Sequence, residues 1–429
     1  MAASPLARPQ RSMDLLSPPS DAAGNTITAR VGLRDQYPHS AFSDAAVRHA
    51  SSFAVRPSDV FLTTAPKTGT TWLQQIFHQL RCATLCDVGR EKGHMAFDDI
   101  YQVVPWAQMS DDLGISLDAE QWAPLRPRAM STPTPPPQLS PQLPPRIFKS
   151  HQRIAAINRG AKVVCVVRSP AATLLSWYNF LCAMRVPKVL AYPSVNEFVR
   201  DSEYCVDGMR FGATLWEYFV EFFTCATLPN VLCLVYEDLH ADLASHLPHL
   251  AHFAGLPRCD AACTALVAER CSKMYMARHA SKFDGSWAFE RLKAVGRTRE
   301  IESSRPAARV SSLPGTPGSP AARKKLLTAT EAGEAGGAAS GAAEKASSPP
   351  STPPSTPRSL LRRAFYLEEE EGVGHTASSV EETFNADALA FIDEQWAVNV
   401  APVTGCATFS EMVALLRVRL AAQRSAVQL

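Results

Sequence analysis

The sequence predicts an α/β fold, a three-layer sandwich around a central, mainly parallel β-sheet, and three observations carry that expectation. First, Lys162 to Val167 (KVVCVV) and Val231 to Val235 (VLCLV) are short continuous apolar runs, the mark of strands covered on both faces. Second, amphipathic helical patterns alternate with these runs, the order that parallel, right-handed βαβ units require. Third, Phe61 to Leu80 (FLTTAPKTGTTWLQQIFHQL) moves from a strand-like run at Val60, Phe61 and Leu62 through a loop marked by Pro66 and Gly69. Beyond that loop, Trp72, Leu73, Ile76, Phe77 and Leu80 fall at helical spacing.

Taken in order, residues 1–25 are rich in Pro, Ala and Ser and read as a disordered tail. The opening MAASPLARPQRSM is basic and free of acids until Asp14, a pattern shared by organellar transit peptides and plain tails. The tail reading makes the protein cytoplasmic. Hydrophobic residues are 46% of the 429, ample for a large core, and a net charge of +2 gives no field for nucleic acid or an anionic membrane. No run reaches the roughly 18 apolar residues of a membrane span. Eleven cysteines is an odd count, and Cys165 and Cys233 sit inside apolar runs as small buried hydrophobes, which fits a reducing compartment. Cys82 with Cys86, and Cys259 with Cys263, are each separated by three residues and lack histidines at zinc-finger spacing, so no metal is expected.

The loop Pro66 to Trp72 has the composition of an anion cradle. A helix N-terminus presents unpaired N–H groups and the positive end of the peptide dipole, and Gly69 among Thr68, Thr70 and Thr71 lets those donors converge. Lys67 adds a mobile positive charge. In the Walker A pattern the lysine follows the last glycine, whereas here it precedes it. Alone, the string also suits an ordinary strand-to-helix turn with a threonine cap.

After the first helix, Phe97 to Trp106 (FDDIYQVVPW) is aromatic and acidic and reads mostly as core. Pro-rich residues 126–145 form a surface insertion. Next, Ile147 and Phe148 give a brief strand signal that delivers Lys149, Ser150 and His151 at its C-terminal edge, where open α/β sheets place ligands. Lys149 and His151, two apart on an extended chain, point to one side. The strand Lys162 to Val167 delivers Arg168, Ser169 and Pro170, and the helix that follows carries Leu174, Leu175, Tyr178 and Leu181 on its apolar side with Ser176 in its first turns. The planar fork of Arg168 suits a phosphate, and Ser176 is placed to donate to the same group. A helix is predicted over Phe211 to Cys225, and the strand Val231 to Val235 ends in Tyr236, Glu237 and Asp238. Another helix runs through Leu243, Leu247, Leu250 and Phe253 to Gly255. Residues 305–360 collapse to Pro, Ala, Ser, Gly and Thr and read as a disordered insertion. A last helix is expected around Leu389, Ile392 and Trp396. The resulting organisation is a domain over 26–304, completed by 361–415 and followed by a C-terminal tail over 416–429.

Four motifs stand in one order, and together they resemble the soluble, cytosolic-type sulfotransferases that use 3'-phosphoadenosine 5'-phosphosulfate (PAPS). Pro66 to Trp72 (PKTGTTW) is similar to that family's 5'-phosphosulfate loop, and Lys149 to His151 (KSH) matches the position of its catalytic histidine. Arg168, Ser169 and Pro170 with Ser176 resemble its 3'-phosphate motif, and Val235 to Asp238 (VYED) its following strand end. The resemblance covers roughly residues 45–300 and 365–415. It implies a P-loop NTPase-like sulfotransferase fold with disordered insertions and PAPS as co-substrate without metal. It also implies that Lys67, Thr68, Gly69, Thr70 and Thr71 hold the 5' end, that Trp72 stacks on adenine near Tyr236, and that Arg168 and Ser176 hold the 3'-phosphate. Ser272 is implied as a further donor contact. One departure is Glu368 to Gly374 (EEEEGVG), where the family carries a basic closing stretch.

The reaction so implied is in-line transfer of a sulfuryl group to a hydroxyl or amine of a small-molecule acceptor. His151 is the general base, Lys67 and Lys149 offset developing charge, and Ser176 restrains wasteful donor hydrolysis. Two alternatives stand beside it. A P-loop small-molecule kinase needs a lysine after the glycine and a magnesium-binding acid, and neither can be placed. A sulfotransferase-like scaffold that binds without turnover is kept open by the acidic closing stretch.

Overall fold

The computed structural model of the protein describes residues 42–85, 94–119, 121, 144–157, 160–183, 186–206, 208, 213–294, 380 and 383–428. At its centre lie four strands, β1 (Val60–Thr63), β2 (Ile147–Ser150), β3 (Lys162–Val167) and β4 (Val231–Val235). All pairings are parallel and the order is β2-β1-β3-β4, so successive strands leave β1 toward both sides. In such a sheet the crevice beyond the carboxyl ends, where the order reverses, is the place for a ligand.

The helices that matter here are α1 (Asp44–Ser52), α2 (Thr70–Leu85), α3 (Pro170–Ala183), α4 (Val195–Asp201) and α5 (Leu215–Cys225). They continue with α6 (Tyr236–Ala241), α7 (Leu243–Ala254), α8 (Ala261–Arg270), α9 (Lys273–Arg278), α10 (Ala386–Asn399) and α11 (Phe409–Gln428). Side chains alternate along each strand, and this alternation sorts the helices into two layers. Val163, Cys165 and Val167 of β3, with Val231, Cys233 and Val235 of β4, pack against α3, α5 and α10. Val164, Val166, Leu232 and Leu234 pack against α2, α7 and α8. On the first face the β2 side is closed by Phe53, Phe61 and Phe148, with the Phe61 and Phe148 rings stacked at 5.1 Å. Each such fully buried apolar side chain contributes about 1.5–3 kcal/mol relative to exposure.

Two expectations change. The helix predicted from Phe211 starts at Leu215, because the Thr214 hydroxyl accepts from the Glu217 amide and the Glu217 carboxylate accepts from the Thr214 amide, a complete capping box. Phe211 itself lies outside the described residues. The tail expected over 416–429 is corrected to the second half of α11, which lies along β4. Its Leu416 and Leu420 enter the core, and Gln423 Nε2 donates to the Val231 carbonyl at 3.3 Å. The helix that stops near Gly255 is found as expected, with Gly255 in the left-handed region at φ +76°. Residues 1–25, the insertions at 126–143 and 305–360, and Glu368 to Gly374 lie outside the described residues. Among the described residues no single helix is long and apolar enough to cross a membrane.

Candidate active site

The carboxyl end of β1 runs straight into the loop Thr64–Gly69 and the first turn of α2. The loop is held in a specific shape. The Thr68 hydroxyl donates back to the Ala65 carbonyl at 2.7 Å, the Thr64 and Thr70 hydroxyls meet at 2.6 Å, and Tyr204 donates to the Pro66 carbonyl at 2.9 Å. Two residues have positive φ, Lys67 at +67° and Gly69 at +97°. A non-glycine residue in that region carries a conformational cost, borne here by the side chain sequence reasoning had singled out. A Cβ at position 69 would lie 3.0 Å from two ring carbons of Tyr236, so only glycine lets the loop and that ring approach. The shape turns the start of α2, with its unpaired N–H groups, toward the end of the sheet.

Beside the loop, at the end of β2, stand Lys149 and His151. Both are buried, and both lie against Trp106, whose ring centroid is 3.7 Å from Lys149 Nζ and 5.0 Å from the imidazole, edge to face. His151 Nδ1 is 2.8 Å from the Thr64 carbonyl oxygen. A carbonyl only accepts, so Nδ1 carries the proton of the neutral ring and Nε2 keeps its lone pair. Burial, then the charges of Lys149 and Lys67, push the imidazole pKa down to about 3, although the Thr64 bond works the other way. Tyr218 donates to the His151 backbone carbonyl and fixes the main chain beneath the ring. Lys149 Nζ donates to the Tyr101 hydroxyl at 3.0 Å. Burial and the field of Lys67 bring its pKa down to about 7, opposed by Asp99. Asp99 is itself buried, and burial together with Asp284 raises its pKa to about 7. Lys67, Lys149 and His151 are thus close enough to feel one another's charge.

The end of β3 supplies Arg168. Its Nη1 donates to the Lys67 carbonyl at 2.9 Å and its guanidinium lies 4.6 Å over the Tyr236 ring, so loop and guanidinium form one unit. Among the described residues Arg168 makes no ion pair, which leaves its fork for a ligand rather than for a surface bridge. Tyr236, at the end of β4, meets Trp72 edge to face at 5.7 Å, and Trp72 Nε1 donates to the Cys271 carbonyl at 2.8 Å. Ser176 lies inside α3 with 1% of its surface exposed, and among the described residues its hydroxyl has no hydrogen-bond partner. A buried hydroxyl of that kind is a place where a ligand oxygen would be expected. Thr71 lies half-buried in the first turn of α2. Ser272 sits next to the Trp72 contact, but its hydroxyl caps α9 by accepting from the Tyr275 amide at 3.2 Å.

The sheet order therefore brings the lysine-led loop, the Lys149–His151 pair, Arg168, Tyr236 and Trp72 together at the carboxyl ends of the strands, with Ser176 two turns into the helix that Arg168 precedes. Sequence reasoning missed Tyr101, Asp99, Tyr204 and Tyr218. Tyr101 and Asp99 belong to a stretch read mostly as core, and Phe97, Ile100, Val103 and Val104 are indeed buried there. What that reading lacked was the pairing of Trp106 with Lys149 as an extra parallel rung beyond β2, with the Lys149 amide donating to the Pro105 carbonyl at 2.8 Å. Phe180, whose ring lies 4.9 Å from Lys67 Nζ, follows Ser176 by one helical turn, so the helical period sets the two on one face. The two tyrosine hydroxyls that meet backbone carbonyls leave no sequence signal.

The chain is similar to several known proteins. Human sulfotransferase 4A1 is 29% identical over 239 residues, 54% of this chain and 72% of the human protein. Cytosolic sulfotransferase 14 of Arabidopsis thaliana is 28% identical over 213 residues, 48% of this chain and 56% of that one. Among solved structures, mouse sulfotransferase SULT7A1 complexed with PAP is similar over 56% of this chain and 73% of its own, with 18% identity and a TM-score of 0.38. Residues 57–297, which include all four strands and the whole cleft, match the sulfotransferase domain. The chain belongs to the sulfotransferase domain family and is an enzyme of the sulfotransferase class.

Proposed function

We propose that this enzyme moves a sulfuryl group from PAPS to the hydroxyl of a small-molecule acceptor, with His151 as general base. The observation that carries the reading is the tautomer of His151. Its Nδ1–H is committed to the Thr64 carbonyl, so Nε2 is the basic atom, and the depressed pKa keeps it unprotonated at neutral pH. A base that is already neutral can take a hydroxyl proton as the acceptor attacks.

The residues present fit the donor. The loop 65–70 and the N-terminus of α2 offer amides and Lys67 to a 5'-phosphosulfate, while Arg168 and the unpartnered Ser176 hydroxyl are suited to a 3'-phosphate. Trp72 and Tyr236 offer ring faces to adenine. When bound, PAPS supplies sulfur activated by a phosphate leaving group. Lys67 would balance charge on the leaving phosphate side, and Lys149, buried against Trp106 and Tyr101, would offset charge on the sulfuryl oxygens. Trp106, edge-on to His151, gives the acceptor an apolar wall. The catalytic unit on this reading is residues 26–304 completed by the segment from 361 onward.

Two measurements test the proposal. Titration with 3'-phosphoadenosine 5'-phosphate against ATP with magnesium should give saturable binding of the former and none of the latter at equal concentration. Donor consumption with a panel of phenols, alcohols and amines should rise with at least one acceptor. A chain that binds the nucleotide and never turns over with any of them is a binding scaffold, and the catalytic part of the proposal falls.

A further inference from the structure

Cys259 and Cys263 flank the start of α8. Asp260 caps that helix, its carboxylate accepting from the Cys263 amide at 2.7 Å, and this tight entry folds the residue before the cap against the third helical residue. The two Sγ atoms lie 2.9 Å apart, and Cys259 Sγ also lies 3.5 Å from the Thr264 hydroxyl. Both side chains are buried, with 5% and 1% of their surfaces exposed. Two sulfurs in ordinary non-bonded contact sit farther apart than this, and a covalent S–S bond is about 2.05 Å, so closure needs a movement of under about 1 Å. Nothing in the proposed sulfuryl transfer uses either residue. The same spacing, read from sequence as a poor zinc motif, is in the fold an adjacent dithiol.

We infer that Cys259 and Cys263 form a reversible intrachain disulfide, taking glutathione disulfide or an oxidant of that class as co-reactant. The thiolate of Cys259, the more exposed of the two, attacks one sulfur of glutathione disulfide and releases one glutathione thiolate. Cys263 then loses its proton and attacks the mixed disulfide at Cys259 Sγ, forming the Sγ–Sγ bond and expelling the second glutathione. Two protein thiols are oxidised and one disulfide is reduced to two glutathiones. The bond closes the N-terminal turn of α8. The carbonyls at the far end of that helix, Arg270 and Cys271, accept from Gln75 at 3.2 Å and Trp72 at 2.8 Å, which ties the dithiol's helix to the first turns of α2.

The test is independent of catalysis. Cleavage after Arg258 and Arg270 releases both cysteines on one peptide, so the bond reads as the loss of two hydrogen masses without a cross-linked partner. The full chain is equilibrated natively with a series of reduced-to-oxidised glutathione ratios, quenched in acid, alkylated and digested. The expected result is that this peptide converts to the disulfide mass as the ratio turns oxidising and returns to the dithiol mass with excess glutathione. In Cys263→Ser the conversion should be lost, with a single glutathione retained on Cys259. A wild-type peptide that keeps its dithiol mass at every ratio, or that carries glutathione on both cysteines, overturns the inference.

Discussion

Nδ1 of His151 lies 2.8 Å from the backbone oxygen of Thr64, the residue that follows β1 and opens the loop to α2. One hydrogen bond thus ties the orientation of the proposed base to the loop that carries Lys67. Removing the ring should strike chemistry and spare nucleotide binding, since no donor-side contact passes through Nε2. His151→Ala is expected to lower kcat by at least about 100-fold, with the affinity for 3'-phosphoadenosine 5'-phosphate changed by less than about threefold, about 0.6 kcal/mol. Initial rates and calorimetric titration of the same preparation check both halves, and undiminished turnover would remove His151 from the mechanism.

The pH profile follows from two depressed pKa values. His151, pushed to about 3, stays a competent base across the whole neutral range, so kcat/KM should show no acid limb between pH 5 and 7 from this group. Lys149, brought to about 7, is charged below that pH and loses its charge above it, so kcat/KM measured at low donor should fall on the alkaline side with a midpoint near 7. The Tyr101 hydroxyl accepts from the Lys149 ammonium and favours the charged form. Tyr101→Phe should therefore move that limb to lower pH, and an unmoved limb would separate Lys149 from it.

Gly69 is the point at which the loop touches the far side of the cleft. Its φ of +97° and the 3.0 Å that a Cβ would leave to the Tyr236 ring combine two costs, strain at residue 69 and displacement of a ring that Trp72 and Arg168 both contact. Gly69→Ala is expected to weaken 3'-phosphoadenosine 5'-phosphate binding by more than about 10-fold, roughly 1.4 kcal/mol. Wild-type affinity in that variant would mean that the loop is not the nucleotide's cradle.

Much of this arrangement is legible in the sequence because it depends on local period and punctuation. Val163 to Val167 and Val231 to Val235 announce buried parallel strands by unbroken apolarity, and a parallel sheet then sends Lys67, His151, Arg168 and Tyr236 to one edge. What is not legible is contact made across long sequence separation. Tyr101 reaches Lys149 over 48 positions and Tyr218 reaches His151 over 67, through groups whose residue types are equally at home in a core. The C-terminal helix was cut short for a different reason. Its mixed run of arginines and valines after Leu416 resembles a solvated tail until β4 is known to be an edge in need of cover.

Buried neutral histidines also set the acid limit of stability. Burial holds His78 and His151 near pKa 3, against about 6.5 in the unfolded chain, so the unfolded state takes up protons that the folded state refuses. Their contribution is fully present above pH 6.5 and is lost as pH falls toward 3, at up to about 1.4 kcal/mol per pH unit for each. His78→Gln keeps a donor for the His94 carbonyl, which His78 Nε2 meets at 2.8 Å, and removes the titration. Urea unfolding between pH 6.5 and 4.5 should give a shallower pH slope for this variant than for the wild type, and equal slopes would assign the acid sensitivity elsewhere.

The corrected C-terminus makes the sharpest claim about the fold, because neighbouring residues of α11 must behave oppositely. Leu416 is buried to 1% exposure in the core beside β4, while Leu415 is 47% exposed. A solvated tail would make the two equivalent. On the helix, Leu416→Ala deletes three core carbons and leaves a cavity that the edge strand cannot collapse to fill, so it should cost about 2–5 kcal/mol. Leu415→Ala removes surface that water already reaches and should stay within about 0.5 kcal/mol. Chemical unfolding of the two variants decides the matter: if both lie near the wild-type midpoint, β4 is not covered by this segment.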